Sequence, residues 1–277
     1  MNRRFRQVDV FTDAPYAGNP VAVVLDADDL DTATMQRVAR WTNLSETTFV
    51  LAPTSPDAHY RVRIFTPVLE LPFAGHPTLG TCHAWLAAQP APPPSNEVLV
   101  QECAAGLIRV RRTADGLAFA APPVLRSGPV DEALVSEAAA TLGLERQQVQ
   151  AAEWVDNGPG WIALLLESPE EVLALRPGPG TMDLGVVALY PPGSPEALEV
   201  RAFFPKDGML TEDPVTGSLN ASLGQWLTAS GRVATPYVAR QGTAIGRSGR
   251  VHVSNGDDGA IWVGGGTVTC IQGTIEI

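Results

Sequence analysis

At 277 residues with 45% apolar side chains, the chain is long enough to bury a substantial core in one or two domains. A net charge of −11, with Lys206 the single lysine, leaves no basic footprint, so neither nucleic acid nor a membrane surface is expected as a partner. The three cysteines, Cys82, Cys103 and Cys270, are widely spaced and lack a CxxC pair, which points away from a disulfide framework or zinc site and towards a cytoplasmic protein.

In chain order, Gln7 to Phe11 and Val21 to Leu25 read as strands flanking a turn at Tyr16 to Pro20. No apolar leader segment forms before Asp9. Asp31 is placed to cap a helix running to Trp41, with Met35, Val38 and Ala39 on one face. Thr47 to Val50 favour a strand, so Glu46 in NLSETTFVL stands at a loop-to-strand transition. A VRIFTP strand (Val62 to Pro67) leads into a helix-length run, after which Pro90 to Pro94 is a stiff loop. Strands are expected at Glu97 to Cys103, Leu107 to Arg112 and Leu117 to Ala121. The Pro-rich segment Ala121 to Asp131 then reads as an interdomain linker without periodicity. Beyond it come a helix from Glu132 to Leu142, a buried strand from Trp161 to Glu167 and a capping box at Ser168, Pro169 and Glu171. A strand at Leu184 to Tyr190 precedes VRAFFP (Val200 to Pro205) and a second helix-length run.

This last pattern repeats the first half. VRIFTP recurs as VRAFFP 138 positions later, Trp85 matches Trp226, and DGLAF (Asp115 to Phe119) recurs as DGAIW (Asp258 to Trp262). Matches in register over half the chain imply a duplicated unit. No charged residue other than histidine occurs from Leu71 to Asn96 or from Pro214 to Gly231. A helix without a polar face is buried on all sides. Gly80, Thr81, Ala84 and, in the second copy, Ala221, Ser222 and Gly224 let strands approach it closely. The expectation is α+β: two pseudo-symmetric domains, residues 1–125 and 126–277, each a barrel-like sheet around a central helix, with the C-terminal strand able to return to the first domain. Gly75-His76-Pro77 and Thr216-Gly217-Ser218 would be the positively polarised helix starts, suited to a carboxylate. Gly75, Pro77 and the prolines at 90–94 break the uncharged run, so it is not a membrane span.

The side chains at these turns are not symmetric. Asp213 has no acidic counterpart in the first half, and Glu46 shifted by the repeat falls on Leu184. With His76 they form a set of unlike titratable groups, the usual way to hold an acid and a base at different pKa values. Each has a plain alternative: Glu46 a solvated loop residue, Asp213 a helix cap, His76 a cap-position residue satisfied by backbone. His83 reads as a core histidine. Clustered metal ligands, a GxSxG elbow and a strand-GxGxxG-helix context are all missing from the sequence, so no metal and no cofactor is expected.

Four segments, DVFTDAPYAGNPVAVVL, NLSETTFV, RIFTPVLELPFAGHPTLGT and EDPVTGS, closely resemble the phenazine-biosynthesis PhzF family, in order and over essentially the whole chain. The resemblance implies a diaminopimelate epimerase-like fold with the active site between two domains, and cofactor-independent isomerase chemistry on a small carboxylate-bearing substrate. It assigns the catalytic glutamate to Glu46, the glycine-histidine pair to Gly75 and His76, and the aspartate and serine to Asp213 and Ser218, with Gly217 beside them. It also suggests a homodimer. None of the cysteines lies in those turns, which disfavours thiol-based racemisation. The alternatives are a two-base epimerase using Glu46 against Asp213, and a non-catalytic ligand-binding protein. A bell-shaped pH–rate profile, with Asp213 or His76 carrying one limb, is expected of a shared acid–base cycle.

Overall fold

The computed structural model describes residues 1–91, 93–94 and 98–277. They fall into two compact units, Met1–Ala120 with Gly264–Ile277, and Ala121–Val263. The first contains β1 (Asn2–Val10), β2 (Asn19–Val24), α1 (Thr32–Thr42), β3 (Glu46–Leu51), β4 (Tyr60–Phe65), β5 (Glu70–Leu71), α2 (Gly75–Leu86), β6 (Leu99–Cys103), β7 (Gly106–Thr113) and β8 (Gly116–Ala120). The second contains β9 (Arg126–Pro129), α3 (Glu132–Thr141), β10 (Ala151–Asp156), β11 (Ile162–Leu165), α4 (Pro169–Ala174), β12 (Leu184–Leu189), β13 (Leu198–Lys206), β14 (Met209–Asp213), α5 (Gly217–Ala229), β15 (Tyr237–Gln241) and β16 (Gly249–Asn255). From it β17 (Ile261–Gly265) leads to β18 (Thr267–Glu276), which belongs to the first unit.

The two units share one pairing scheme. In the first, β1 is antiparallel to β2, β2 parallel to β3, β3 antiparallel to β4, β4 antiparallel to β5 and parallel to β6, and β6 antiparallel to β7. In the second, β10 to β16 repeat these relations one for one. The duplication legible in VRxFxP is therefore a duplication of topology. The copies diverge at their edges: β18 lines β1 from Asn2↔Glu276 to Val10↔Thr267, whereas β10 is lined by β9.

Each unit is built on its uncharged helix. Helix α2 packs against β1, β2, β3, β8 and β18, and buries every residue from Gly75 to Cys82 together with Ala84. Helix α5 packs against β10 and β16. The small residues act as expected: a Cβ on Gly80 would fall 2.3 Å from Val21 Cγ1, and one on Gly224 3.0 Å from Val253 Cγ1. A second layer seals the outside of each sheet. Met35 and Ala39 of α1 join Val24, Phe49, Leu51 and Phe65 in one cluster, while Val135, Ala138 and Ala139 of α3 join Leu164, Val186 and Phe203 in another. At about 1.5–3 kcal/mol per large buried side chain, such clusters supply most of the drive to fold.

Several expectations need correction. The units divide after Ala120 instead of residue 125, and the second ends at Val263, because the last residues hydrogen-bond along β1. The supposed linker Ala121 to Asp131 holds a strand: β9 pairs with β10, and the Arg126 guanidinium lies 3.5 Å from the Trp154 ring centroid. Proline and glycine there punctuate a short edge strand, which needs few backbone donors. At α4, Ser168 Oγ accepts from the Glu171 N–H, but the Glu171 carboxylate takes the Glu167 N–H, so only half of the capping box forms. The expected loop residue Pro92 and strand residue Glu97 lie outside the described residues.

Candidate active site

The first unit brings Glu46, Gly75 and His76 together. Strand β2 places both titratable groups: Glu46 opens β3 in register with Val21, and the preceding residue, Pro20, offers its carbonyl to the His76 imidazole. Glu46 Oε2 lies 3.3 Å from His76 Nε2, the two side chains being 15% and 5% exposed. Burial drives the His76 pKa down to about 3, against the smaller upward pull of the Pro20 hydrogen bond. The imidazole is therefore neutral near pH 7, with a single N–H. With that N–H held by Pro20, the nitrogen facing Glu46 is a lone pair, and the Glu46–His76 contact is a place for one proton and not an ion pair.

His76 is the second residue of α2, whose N-cap is Ala74. No side chain caps this helix start, and its first turn holds no acidic residue. By contrast α1 and α4 are closed by Asp31 and Ser168 accepting backbone N–H groups. An uncapped start keeps its orphan N–H groups and partial positive charge for an external anion.

The second unit brings Asp213, Gly217 and Ser218 together. Asp213 ends β14 opposite Ala202, and the preceding Glu212 is closed on Arg201 at 2.6 Å. Asp213 is not the helix cap: Thr216 holds that position, yet makes no side-chain cap bond, and its hydroxyl donates to Asp213 Oδ2 at 2.6 Å. Gly217 and Ser218 open α5, again without an acidic residue in the first turn. Ser218 is held from the loop after β10, where Asn157 Nδ2 donates to its carbonyl at 2.9 Å and Trp161 Nε1 to its Oγ at 3.2 Å. Asp156 shapes that loop, Oδ1 accepting from the Gly158 and Gly160 N–H groups at 2.7 Å each.

Sequence reasoning placed Thr216 at the start of the second helix but assigned no side-chain role to it or to Gln241, Asn157 and Trp161. A signal existed for one of them. Gln101 and Gln241 are 140 positions apart, inside the spread of the repeat, and each bonds the fourth residue of its helix. Gln101 Nε2 donates to Thr78 Oγ1 at 2.9 Å, and Asn220 Nδ2 donates to Gln241 Oε1 at 2.8 Å. His83 bonds Thr267 and Thr269 of β18 at 2.9 Å each, a structural role.

Duplicated α+β units, each wrapped on a central helix, define a diaminopimelate epimerase-like fold. The model of the phenazine biosynthesis-like proteins, PhzC-PhzF, matches residues 8–273, and the chain belongs to that family. It is 37% identical to antisense-enhancing sequence 1 of Schizosaccharomyces pombe, over 97% of each chain. It is 36% identical to trans-2,3-dihydro-3-hydroxyanthranilate isomerase of Pseudomonas aeruginosa, covering 90% of this chain and 89% of that one. The crystal structure of the PhzF-family phenazine biosynthesis protein of Bacillus anthracis aligns with a TM-score of 0.83 over 100% of both chains, at 23% identity, a likeness of fold. The family's enzymes are isomerases, and this chain is one.

Proposed function

We propose that the protein isomerises a small carboxylate-bearing molecule by moving a proton from one carbon to another, with Glu46 as the group that takes and returns it. The observation that carries this reading is the contact of Glu46 Oε2 with a neutral, buried His76 Nε2 at 3.3 Å, beside the uncapped start of α2. In the cycle the substrate C–H bond breaks towards Glu46, the electron pair moves into the adjacent unsaturated system, and the Glu46 carboxyl, whose proton exchanges with solvent at this stage, delivers a proton to form a new C–H bond further along. Atoms and electrons balance without a redox partner. His76 accepts a hydrogen bond from the protonated Glu46 and so steadies the intermediate stage. Amides at Gly75 and His76 hold developing negative charge. In this reading Asp213, which the family resemblance matches to the family's aspartate, is the assisting acid, and the turn at Gly217 and Ser218 is a further anion holder.

The first substrate to test is trans-2,3-dihydro-3-hydroxyanthranilate, for which the 36% identical relative is named. In deuterated water, wild type should introduce deuterium into the isomerised product, and Glu46→Gln should remove turnover while leaving the melting transition in place. Turnover at the wild-type rate in Glu46→Gln would move the base elsewhere. The expected homodimer rests on the resemblance alone and is checked by light scattering.

A further inference from the structure

The polar residues at the start of α5 form a hydrogen-bond chain whose polarity is set at its Gln241 end. Gln241, the last residue of β15, is fully buried, and two backbone groups fix its amide. Oε1 accepts from the Thr216 N–H at 3.0 Å, and Nε2 donates to the Asp213 carbonyl at 3.2 Å. A backbone N–H cannot accept and a carbonyl cannot donate, so the amide cannot be turned over. Nε2 also donates to Thr216 Oγ1 at 3.0 Å. Thr216 Oγ1, with one lone pair taken by Gln241, donates its single proton to Asp213 Oδ2, 2.6 Å away. Asn220 completes the set, donating to Gln241 Oε1 at 2.8 Å and to the Thr216 carbonyl at 2.9 Å.

Two further facts mark this chain as more than a helix cap. A threonine at the N-cap ordinarily accepts an N–H from the first helical turn, but here the hydroxyl makes no such bond. Gly242, at φ +87°, turns the chain directly after Gln241, and a Cβ there would fall 2.6 Å from the Pro214 carbonyl. Only glycine lets the end of β15 seat Gln241 against the turn from Asp213 to Thr216.

We infer that Thr216 and Gln241 are positioning residues that make Asp213 Oδ2 a permanent acceptor, so that any proton Asp213 carries during the reaction is bound to and released from Oδ1. The inference rests on the reading of Asp213 as an assisting acid. An acid whose proton always occupies one oxygen presents it in one direction, which is what a positioned proton transfer requires.

The test has a spectroscopic and a kinetic arm. The infrared difference between wild type and Asp213→Asn isolates the Asp213 carboxylate stretch. Thr216→Val, nearly isosteric but without the hydroxyl, should displace that band. Thr216→Ser should restore it, and Gln241→Glu should displace it by drawing the Thr216 hydroxyl away. A band unmoved in Thr216→Val overturns the inference whatever the substrate. With trans-2,3-dihydro-3-hydroxyanthranilate, Thr216→Val should lower kcat about tenfold or more at unchanged KM, with recovery in Thr216→Ser. Wild-type kcat in Thr216→Val beside a low kcat in Asp213→Asn would also overturn it, leaving the function intact. Wild-type kcat in Asp213→Asn would instead sink the reading of Asp213 on which the inference stands.

Discussion

His76 changes the expected pH behaviour. A histidine that ionises only near pH 3 cannot carry a limb of the rate profile near neutrality. His76→Gln should therefore lower the rate across the profile without shifting either limb, measured as kcat/KM from about pH 5 to 9. The same depression has a stability sign. Between about pH 6.5 and 3 the unfolded chain binds a proton that the native His76 refuses, so its contribution to stability is full above that window and falls as pH drops through it. Asp183 has the opposite sign. Burial, then the charge of Asp156, raises its pKa from 3.8 to about 6, so it costs stability once pH rises through that interval. Asp183→Asn should stabilise the protein by about 1–2 kcal/mol near pH 7, allowing for its partial exposure, and by nothing near pH 4. Calorimetry at both values checks this. An equal gain at both would exclude the electrostatic cause.

At the scale of elements, the two central helices differ in how tightly strands close on them. Gly80 faces Val21 Cγ1 at 2.3 Å and Val10 Cγ2 at 3.1 Å from its Cβ position, whereas Gly224 has no such neighbour nearer than 3.0 Å. Gly80→Ala should cost about 1–3 kcal/mol by overpacking, even after the gain in helix propensity. Gly224→Ala should come out near neutral, the propensity gain offsetting a small displacement of Val253. Urea unfolding of both variants separates the cases, and equal losses would show that the strands yield alike. These helices were legible in the sequence because the absence of charge over two long runs is a strong signal. Strand β1 was legible only in part: it starts at Asn2, five residues before the expected start. Its Arg3 and Arg4 look like a solvated tail but are closed on Asp29 and Asp26. Strand β9 was hidden for the related reason that its partner, β10, lies beyond a helix in the chain.

For the molecule as a whole, the return of β18 ties the two ends of the chain into one unit. Removing residues 264–277 would strip β1 of one of its two hydrogen-bonded neighbours, leaving it β2 alone, and leave the Ala121–Val263 core unchanged in composition. Hydrogen exchange should then show loss of protection in β1 and α2, with β12 and β13 still protected. Loss of protection throughout would mean that the second unit cannot hold its fold without the first.

The sequence by itself determined the duplication, the two buried helices, the α+β class and the identity of the unlike groups at the helix starts, because repeat offset, charge-free runs and residue type are properties of the chain in order. Only the tertiary structure decided which of those groups meet. Glu46 reaches His76 because β2 carries Val21 beside the one and Pro20 to the other. Asp213 is held by Thr216 and Gln241 because β15 runs parallel to β13 and ends at the turn. Such contacts depend on the direction of a side chain across a sheet and on pairing between distant strands. Neither is encoded by spacing along the chain.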